Sequence, residues 1–273
     1  MHLAAIYVYP VKSCRGFPVA ERALDNLGFV GDRRFMIVDE NGKFVTQRTH
    51  ARLARVDAVL ETEALRLTES DNGSVRVPLD DPNASTRTVQ IWKNEGLQAE
   101  DCGKEAAQWL KELLGFNAFL VRIGPAFYRP VKPAKALPGD IVAFTDAFPF
   151  MGISEASLAD LNGRLSSAGE PPVPMDRFRP NLVFGGCEAF AEDSWTHVRI
   201  GDVVLRSGGP CARCIVTTTD QHSGARGKEP LVTLSKYRRD SAKPTDVNFG
   251  QNFIHEGKSG VLRIGDPVVP MLS

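Results

Sequence analysis

Apolar and polar positions alternate in short runs over most of the chain, and turn residues separate the runs. Leu3–Tyr9 is apolar, β-branched and aromatic, which predicts a first strand. Arg34–Val38 and Lys43–Thr46 flank Asp39-Glu-Asn-Gly42, so the pattern predicts a hairpin turning at Asn41-Gly42. Leu65–Thr68, Val75–Val77 and Thr88–Ile91 read as further strands, with Asp71-Asn-Gly73 as the turn between the first two. The period then changes. Ala106, Ala107, Leu110, Leu113 and Leu114 recur at helical spacing, which predicts a helix over Lys104–Leu114 stopped by Gly115. A second helix is expected over Ser154–Leu165 from Leu158, Leu161 and Leu165, with Ser154 as its N-cap.

Between these helices Pro130, Pro133, Pro138 and Gly139 crowd a short stretch after Gly124-Pro125. That composition shift divides the chain into candidate domains 1–124 and 125–273. Glu170-Pro-Pro-Val-Pro174 must be a loop, and strands return at Leu182–Phe184, Val198–Ile200, Val203–Arg206, Ile215–Thr219 and Val261–Ile264. Arg199-Ile-Gly-Asp202 and Arg263-Ile-Gly-Asp266 echo one another, each followed by valines, as two strand–turn–strand corners would. The expected fold class is strand-rich α+β, with barrel-like sheets in both halves and a few short helices.

Composition narrows the function classes. Among 273 residues, 33 Lys and Arg balance 33 Asp and Glu, for a net charge of zero. Bulk electrostatic binding of nucleic acid, or of a membrane through a polybasic face, is not expected from such a chain. Five cysteines (Cys14, Cys102, Cys187, Cys211, Cys214) are too few and too scattered for a disulfide scaffold, and the odd count suits a reducing compartment. No apolar run approaches the roughly 18 residues of a bilayer span. Lys12 and Arg15 follow the first apolar run instead of preceding it, the reverse of a signal peptide. The expected location is cytoplasmic.

The sharpest local feature is Gly208-Gly-Pro-Cys-Ala-Arg-Cys214, running into Ile-Val-Thr-Thr-Thr-Asp220. Cysteines at this spacing allow a zinc site, a redox pair or a single presented thiolate. Zinc wants further ligands, and no second CxxC or HxxxH accompanies the pair. A thioredoxin-like pair belongs at the start of a helix, whereas a β-branched run follows here. The thiolate reading has Arg213 beside Cys214, a cation that favours the ionised sulfur. Two small buried hydrophobes in a strand account for the same residues equally well.

Two basic segments could serve an anion. Tyr9-Pro-Val-Lys-Ser-Cys-Arg-Gly16 and Gly31-Asp-Arg-Arg34 place Lys12, Ser13, Arg33 and Arg34 beside turns. Asp176-Arg-Phe-Arg-Pro-Asn181 puts Arg177 and Arg179 around an aromatic, with Asn181 before a strand. For either one alone, a solvated surface is the commoner explanation. Walker A, GxGxxG, HExxH and GxSxG sequences are absent, and His2, His50, His197, His222 and His255 are dispersed.

Taken together and in order, these segments resemble the MOSC family, the molybdenum cofactor sulfurase C-terminal domain proteins. Tyr9-Pro-Val-Lys-Ser13, Gly31-Asp-Arg-Arg-Phe-Met36 and Asp101-Cys-Gly103 are similar to the N-terminal β-barrel domain that accompanies it. Ile153-Ser-Glu-Ala-Ser-Leu158, Arg177-Phe-Arg-Pro-Asn181, Cys211-Ala-Arg-Cys214 with Thr217-Thr-Thr-Asp220, and Phe249-Gly-Gln-Asn252 are similar to the MOSC domain proper. The resemblance covers nearly the whole chain, and it is to the branch that reduces N-hydroxylated compounds at a molybdenum cofactor.

Carried over position by position, the resemblance implies that Cys214 ligates molybdenum in a molybdopterin cofactor. Lys12, Ser13, Arg33, Ser154, Arg177 and Asn181 would line the pterin or its phosphate, and Asp146 would be the active-site acid, delivering protons. Arg213 joins them by proximity to Cys214. A soft thiolate suits a metal already bound by pterin sulfurs, and converging Arg and Lys donors suit a terminal phosphate. No cysteine follows Cys214, so the clustered cysteines of an iron–sulfur electron carrier are not found there. An external electron donor of flavin or cytochrome type is the expected partner, with a small N-hydroxylated substrate. Two rival readings keep the same cysteine: a sulfur carrier bearing a Cys214 persulfide, and a non-catalytic cofactor carrier. Pyridoxal phosphate is associated with parts of the family, but no lysine stands out as a Schiff-base residue.

Overall fold

The computed structural model describes residues 1–131 and 135–271; Pro133 of the proline-rich stretch lies outside the described residues. The class is strand-rich α+β, as the hydrophobic pattern predicts, with strands gathered in four sheets. The largest holds eight strands, in the order Val268–Met271, His197–Ile200, Val203–Ala212, Asn248–His255, Phe150–Ser154, Leu182–Gly185, His2–Val8 and Phe17–Val19. Its one parallel pair, Phe150–Ser154 with Leu182–Gly185, is joined through the helix Glu155–Ser167. A helical crossover of that kind is how parallel neighbours are connected.

The other sheets are smaller. Four strands run in the order Phe35–Asp39, Ala118–Arg122, Asn94–Asp101 and Thr86–Ile91, and a meander pairs Asp57–Leu60, Ala64–Glu69 and Gly73–Pro78. The last sheet joins Gly260–Arg263, Glu21–Asp25 and Gly28–Phe29. Strands from the beginning of the chain therefore lie among strands from its end.

The barrels expected from the sequence are open sheets among the described residues. The physical reason lies at the edges. Phe17–Val19 is only three residues long before the chain turns into Glu21–Asp25 of another sheet. Val268–Met271 at the opposite edge is likewise reached by a turn out of that small sheet, with Gly265 at φ +91°. The two RIGD segments are both corners: the first connects neighbouring strands of the large sheet, and the second switches sheets.

Helix Lys104–Leu114 buries Ala106, Trp109, Leu110 and Leu113 against Leu65, Leu67 and Val77 of the meander. Gly115 ends it in the left-handed conformation, φ +80°. The large sheet is lined by Leu3, Ile6, Phe150, Phe184 and Phe253, all essentially inaccessible. Each such side chain contributes roughly 1.5–3 kcal/mol on burial. No helix among the described residues is long and apolar enough to cross a membrane.

One predicted strand is a helix. Ile215–Thr218 forms a 3-10 turn immediately after Cys214. The hydroxyls of Thr217 and Thr218 donate to the carbonyls of Cys214 and Ile215, at 3.0 and 2.8 Å. Such local hydroxyl-to-backbone bonds compete with a strand ladder, and here they prevail over β-propensity.

Candidate active site

The strand Val203–Ala212 delivers its chain to Arg213 and Cys214. Cys214 itself is extended, φ −124° and ψ 178°, and half-buried at the N-terminus of the 3-10 turn. Arg213 is turned inward. Its Nε donates to the Phe249 carbonyl at 2.6 Å and its Nη1 to the Phe178 carbonyl at 3.1 Å. A Cβ on Gly250, which holds φ +77°, would meet the Gly152 carbonyl oxygen at 2.7 Å and the Arg213 guanidinium at 3.2 Å. Glycine there takes the positive φ and leaves room for the guanidinium beside the Gly152 carbonyl.

Asp146 comes to this place from a loop of the chain's middle. Its carboxylate lies between two cations, Lys12 Nζ at 2.5 Å and Arg48 Nη2 at 3.0 Å. Lys12 also donates to the Phe144 carbonyl at 2.9 Å. Arg129 fastens the loop: its Nη1 reaches the carbonyls of Ala143 and Thr145 at 2.9 and 2.7 Å, and its Nη2 that of Asp146 at 2.8 Å. The charges of these groups follow from their surroundings. Burial pulls Lys12 down to about 8, with Asp146 opposing the shift. Asp146 is half exposed; the protein around it would push its carboxyl up, but Lys12 and Arg48 outweigh that and hold it well below the usual carboxylate range. Burial also works against the Arg48 cation, yet the neighbouring charges of Asp146 and then Cys214 leave its pKa raised. Arg48 thus stands beside both the carboxylate and the sulfur.

A second cationic group lies around Tyr9. Arg33 and Arg179, both in the left-handed region (φ +47° and +54°), stack on its ring at 4.1 and 4.5 Å. Arg33 is paired with Asp32 at 2.6 Å, and Arg179 donates to Gln221 Oε1 at 3.3 Å. Gln221 and Gln47 exchange side-chain hydrogen bonds at 3.0 and 3.1 Å, and Gln47 donates to the Ser13 carbonyl at 2.7 Å. A cleft of about 320 Å³ opens here, walled by Tyr9, Arg15, Asp176, Arg179 and His222. Gly16 forms part of that wall because the Tyr9 ring lies against its Cα, leaving no room for a Cβ.

The candidates singled out from the sequence therefore divide. Lys12, Asp146 and Cys214 are brought together by Arg48; Arg33 stacks on the Tyr9 ring, and Ser13 meets the cleft's surroundings only through its carbonyl, which accepts from Gln47. Arg177 points elsewhere: its Nε and Nη2 donate to the carbonyls of Thr217 and Glu229 at 2.9 and 3.1 Å, bracing the turn behind Cys214. Asn181 ties neighbouring strands, its Nδ2 donating to the Tyr7 carbonyl at 3.2 Å. Ser154 is fully buried as the N-cap of Glu155–Ser167, its hydroxyl accepting from the Ser157 amide at 3.0 Å. Proton delivery by Asp146 needs revision, since a carboxylate held ionised by two cations has no proton to give near neutrality. Lys12 carries the titratable proton of the pair.

Arg48, Arg129, Arg179 and Gln221 had not been singled out as site residues. Arg179 was visible within the Arg177–Asn181 motif, but its left-handed backbone, which turns it toward Tyr9, was not. Nothing local marks Arg48.

The donor set bears on what could be held here. Among the described residues no three His, Cys, Asp or Glu side chains group into a metal cage. A metal at this place would take one soft sulfur from the chain and its remaining ligands from a cofactor, which fits a thiol backed by Arg48. Arg33 and Arg179 offer the donors that an anionic cofactor needs.

Residues 1–117 match the MOSC N-terminal beta barrel domain and residues 139–269 match the MOSC domain. The chain belongs to the MOSC family. It is 37% identical to mitochondrial amidoxime-reducing component 1 of Homo sapiens, over 97% of this chain and 82% of that protein. Mitochondrial amidoxime reducing component 2 of Rattus norvegicus is 36% identical over 99% of this chain and 83% of its own length. Component 1 of Xenopus laevis is 34% identical over 97% and 81%.

Proposed function

We propose that this protein reduces N-hydroxylated compounds to amines at a molybdenum cofactor, with Cys214 as the protein's ligand to the metal. The observation that carries the reading is the Cys214 sulfur beside Arg48, with Asp146 clamped between Arg48 and Lys12. The names of the relatives support the reaction class. When bound, the cofactor would supply the two-electron redox chemistry.

The remaining work falls to the chain. Arg48 keeps a positive field beside the Cys214 sulfur, where negative charge gathers. Lys12, with its pKa lowered to about 8, lies close to the working range for proton transfer and delivers a proton to the departing oxygen. Asp146 orients the Lys12 ammonium and, with the Phe144 carbonyl, fixes its direction. Arg179 lines the cleft that would take the cofactor's anionic end, and Arg33 stacks beside it on the Tyr9 ring. Electrons come from a separate flavin- or cytochrome-type reductase. The unpaired state of all five cysteines supports a reducing compartment such as the cytoplasm.

The test is metal analysis joined to one substitution. Purified protein should carry near-stoichiometric molybdenum and turn over an amidoxime with a chemical electron donor. Cys214→Ser should keep the melting temperature within about 2 °C, because the thiol is half-buried and makes no core contact of note. Its turnover should drop at least about a hundredfold, as expected when a metal's only protein ligand is changed. Full activity in that variant would sink the assignment. Labile sulfur without molybdenum would favour a sulfur carrier, and stoichiometric molybdenum without turnover a cofactor carrier.

A further inference from the structure

The chain has three tryptophans. Trp109 and Trp195 are buried in the cores, whereas Trp92 is 43% exposed. It occupies the first position of the two-residue turn between Thr86–Ile91 and Asn94–Asp101, where Ile91 pairs with Asn94. Its φ is +54°. Two-residue hairpin turns take glycine or asparagine at positive φ, and a bulky aromatic there is an outlier. Neither local propensity nor burial accounts for this side chain, and strain of that kind concentrates at functional sites.

Its contacts point to the site just described. The Arg48 guanidinium lies over the Trp92 ring at 4.6 Å, and the Phe44 ring meets it edge-on at 4.9 Å. Arg48 is the cation that touches Asp146, and Lys12 Nζ lies over Phe44 at 5.6 Å. Two aromatic rings therefore roof the charged cluster beside Cys214. The turn is also fixed in place. Gln90 Nε2 donates to the Trp92 carbonyl at 2.9 Å, and Arg129, which fastens the Asp146 loop, donates from Nε to Asn94 Oδ1 at 3.0 Å. Hairpin tip and Asp146 loop are held by one guanidinium.

We propose that Trp92 is a specificity-determining wall of the substrate site, selecting N-hydroxylated substrates with a planar aromatic body that stacks on the ring face Arg48 leaves open. The proposal rests on the reductase reading of the Cys214 site. Aromatic stacking is non-directional within the ring plane, so the wall favours flat substrates without demanding particular substituents. Small aliphatic substrates would make no use of it.

Binding tests this without requiring turnover. The cofactor-loaded protein is titrated with benzamidoxime and with acetamidoxime, by calorimetry and by tryptophan emission. With the other two tryptophans buried, a change in emission on benzamidoxime binding reports Trp92. Trp92→Gly is the truncation of choice, because glycine accepts this φ without strain, and a retained melting temperature confirms the turn. It should weaken benzamidoxime about tenfold and leave acetamidoxime within about twofold, while Trp92→Phe stays near the wild type. Equal weakening of both ligands, no change in either, or no benzamidoxime binding by the wild type would each overturn the proposal. Failure of the reductase reading looks different: selective binding persists, and bound benzamidoxime is not reduced by the molybdenum-loaded protein.

Discussion

Lys12 is held between opposing demands. The surrounding core disfavours its charge, and Asp146 restores part of it, for a pKa near 8 against an ordinary 10.5. Below about pH 8 the side chain is an ammonium and above it an amine, while Asp146 stays ionised throughout. Proton delivery should therefore fade as pH rises through about 8, giving turnover an alkaline limb there. Lys12→Met should lower the plateau and flatten that limb; an unchanged limb in the variant would remove Lys12 from the mechanism. Stability moves the other way. Between about pH 8 and 10.5 the unfolded chain binds the proton that the folded chain has lost, so this residue adds stability as pH rises through that window. Opposite trends in turnover and melting temperature would separate a proton-transfer role from general alkaline unfolding.

At the scale of elements, the sequence was most readable where a single period ran unbroken. Lys104–Leu114 shows its helical face and its glycine stop in the residues alone, and the structure has the same limits. The second helix was legible too, and so was Ser154 as its N-cap; the resemblance added a cofactor-lining role to which no contact of this side chain points. The Ser154 side chain serves the helix end and the Ser157 hydroxyl at 2.7 Å, while its backbone amide donates to Glu192 Oε1 at 3.1 Å. Ser154→Ala should cost about 1–2 kcal/mol of stability and leave molybdenum content unchanged. Loss of metal at full stability would instead place it among the cofactor contacts. Ile215–Thr219 misled because threonine hydroxyls can satisfy nearby carbonyls, a competition that propensity does not count. The strand Asn248–His255 was recognised only as a motif. Its Asn, Gln and His side chains sit on both faces of a central, buried strand, so no alternation announces it. The meeting of Arg48 with Asp146 and Cys214 spans separate parts of the chain, and no spacing rule reaches across that distance.

At the scale of the molecule, the division at 124/125 is our proposal for where the two matched regions separate in sequence. The sheets are not separated there. His2–Val8 pairs with Leu182–Gly185, and Glu21–Asp25 with Gly260–Arg263. A fragment beginning at residue 125 would lack the strands that complete one end of the eight-stranded sheet, exposing a ladder edge and the apolar faces of Leu182 and Phe184. Such a fragment is expected to aggregate, and the whole chain to unfold in one cooperative transition by both fluorescence and circular dichroism. An independently folded, soluble 125–273 fragment would contradict this.

The Gln47–Gln221 exchange joins the early and late parts of the chain beside the Tyr9 cleft. Both side chains are buried and uncharged, and Arg226 reaches the Gln47 carbonyl from the same side. An amide pair of this kind has no charge for counterions to screen and no proton to lose across the physiological range. The clasp that shapes the cleft is thus indifferent to ionic strength and acidity, although it stands among arginines whose attraction for an anion depends on salt. Raising salt should loosen what the cleft holds without loosening the cleft.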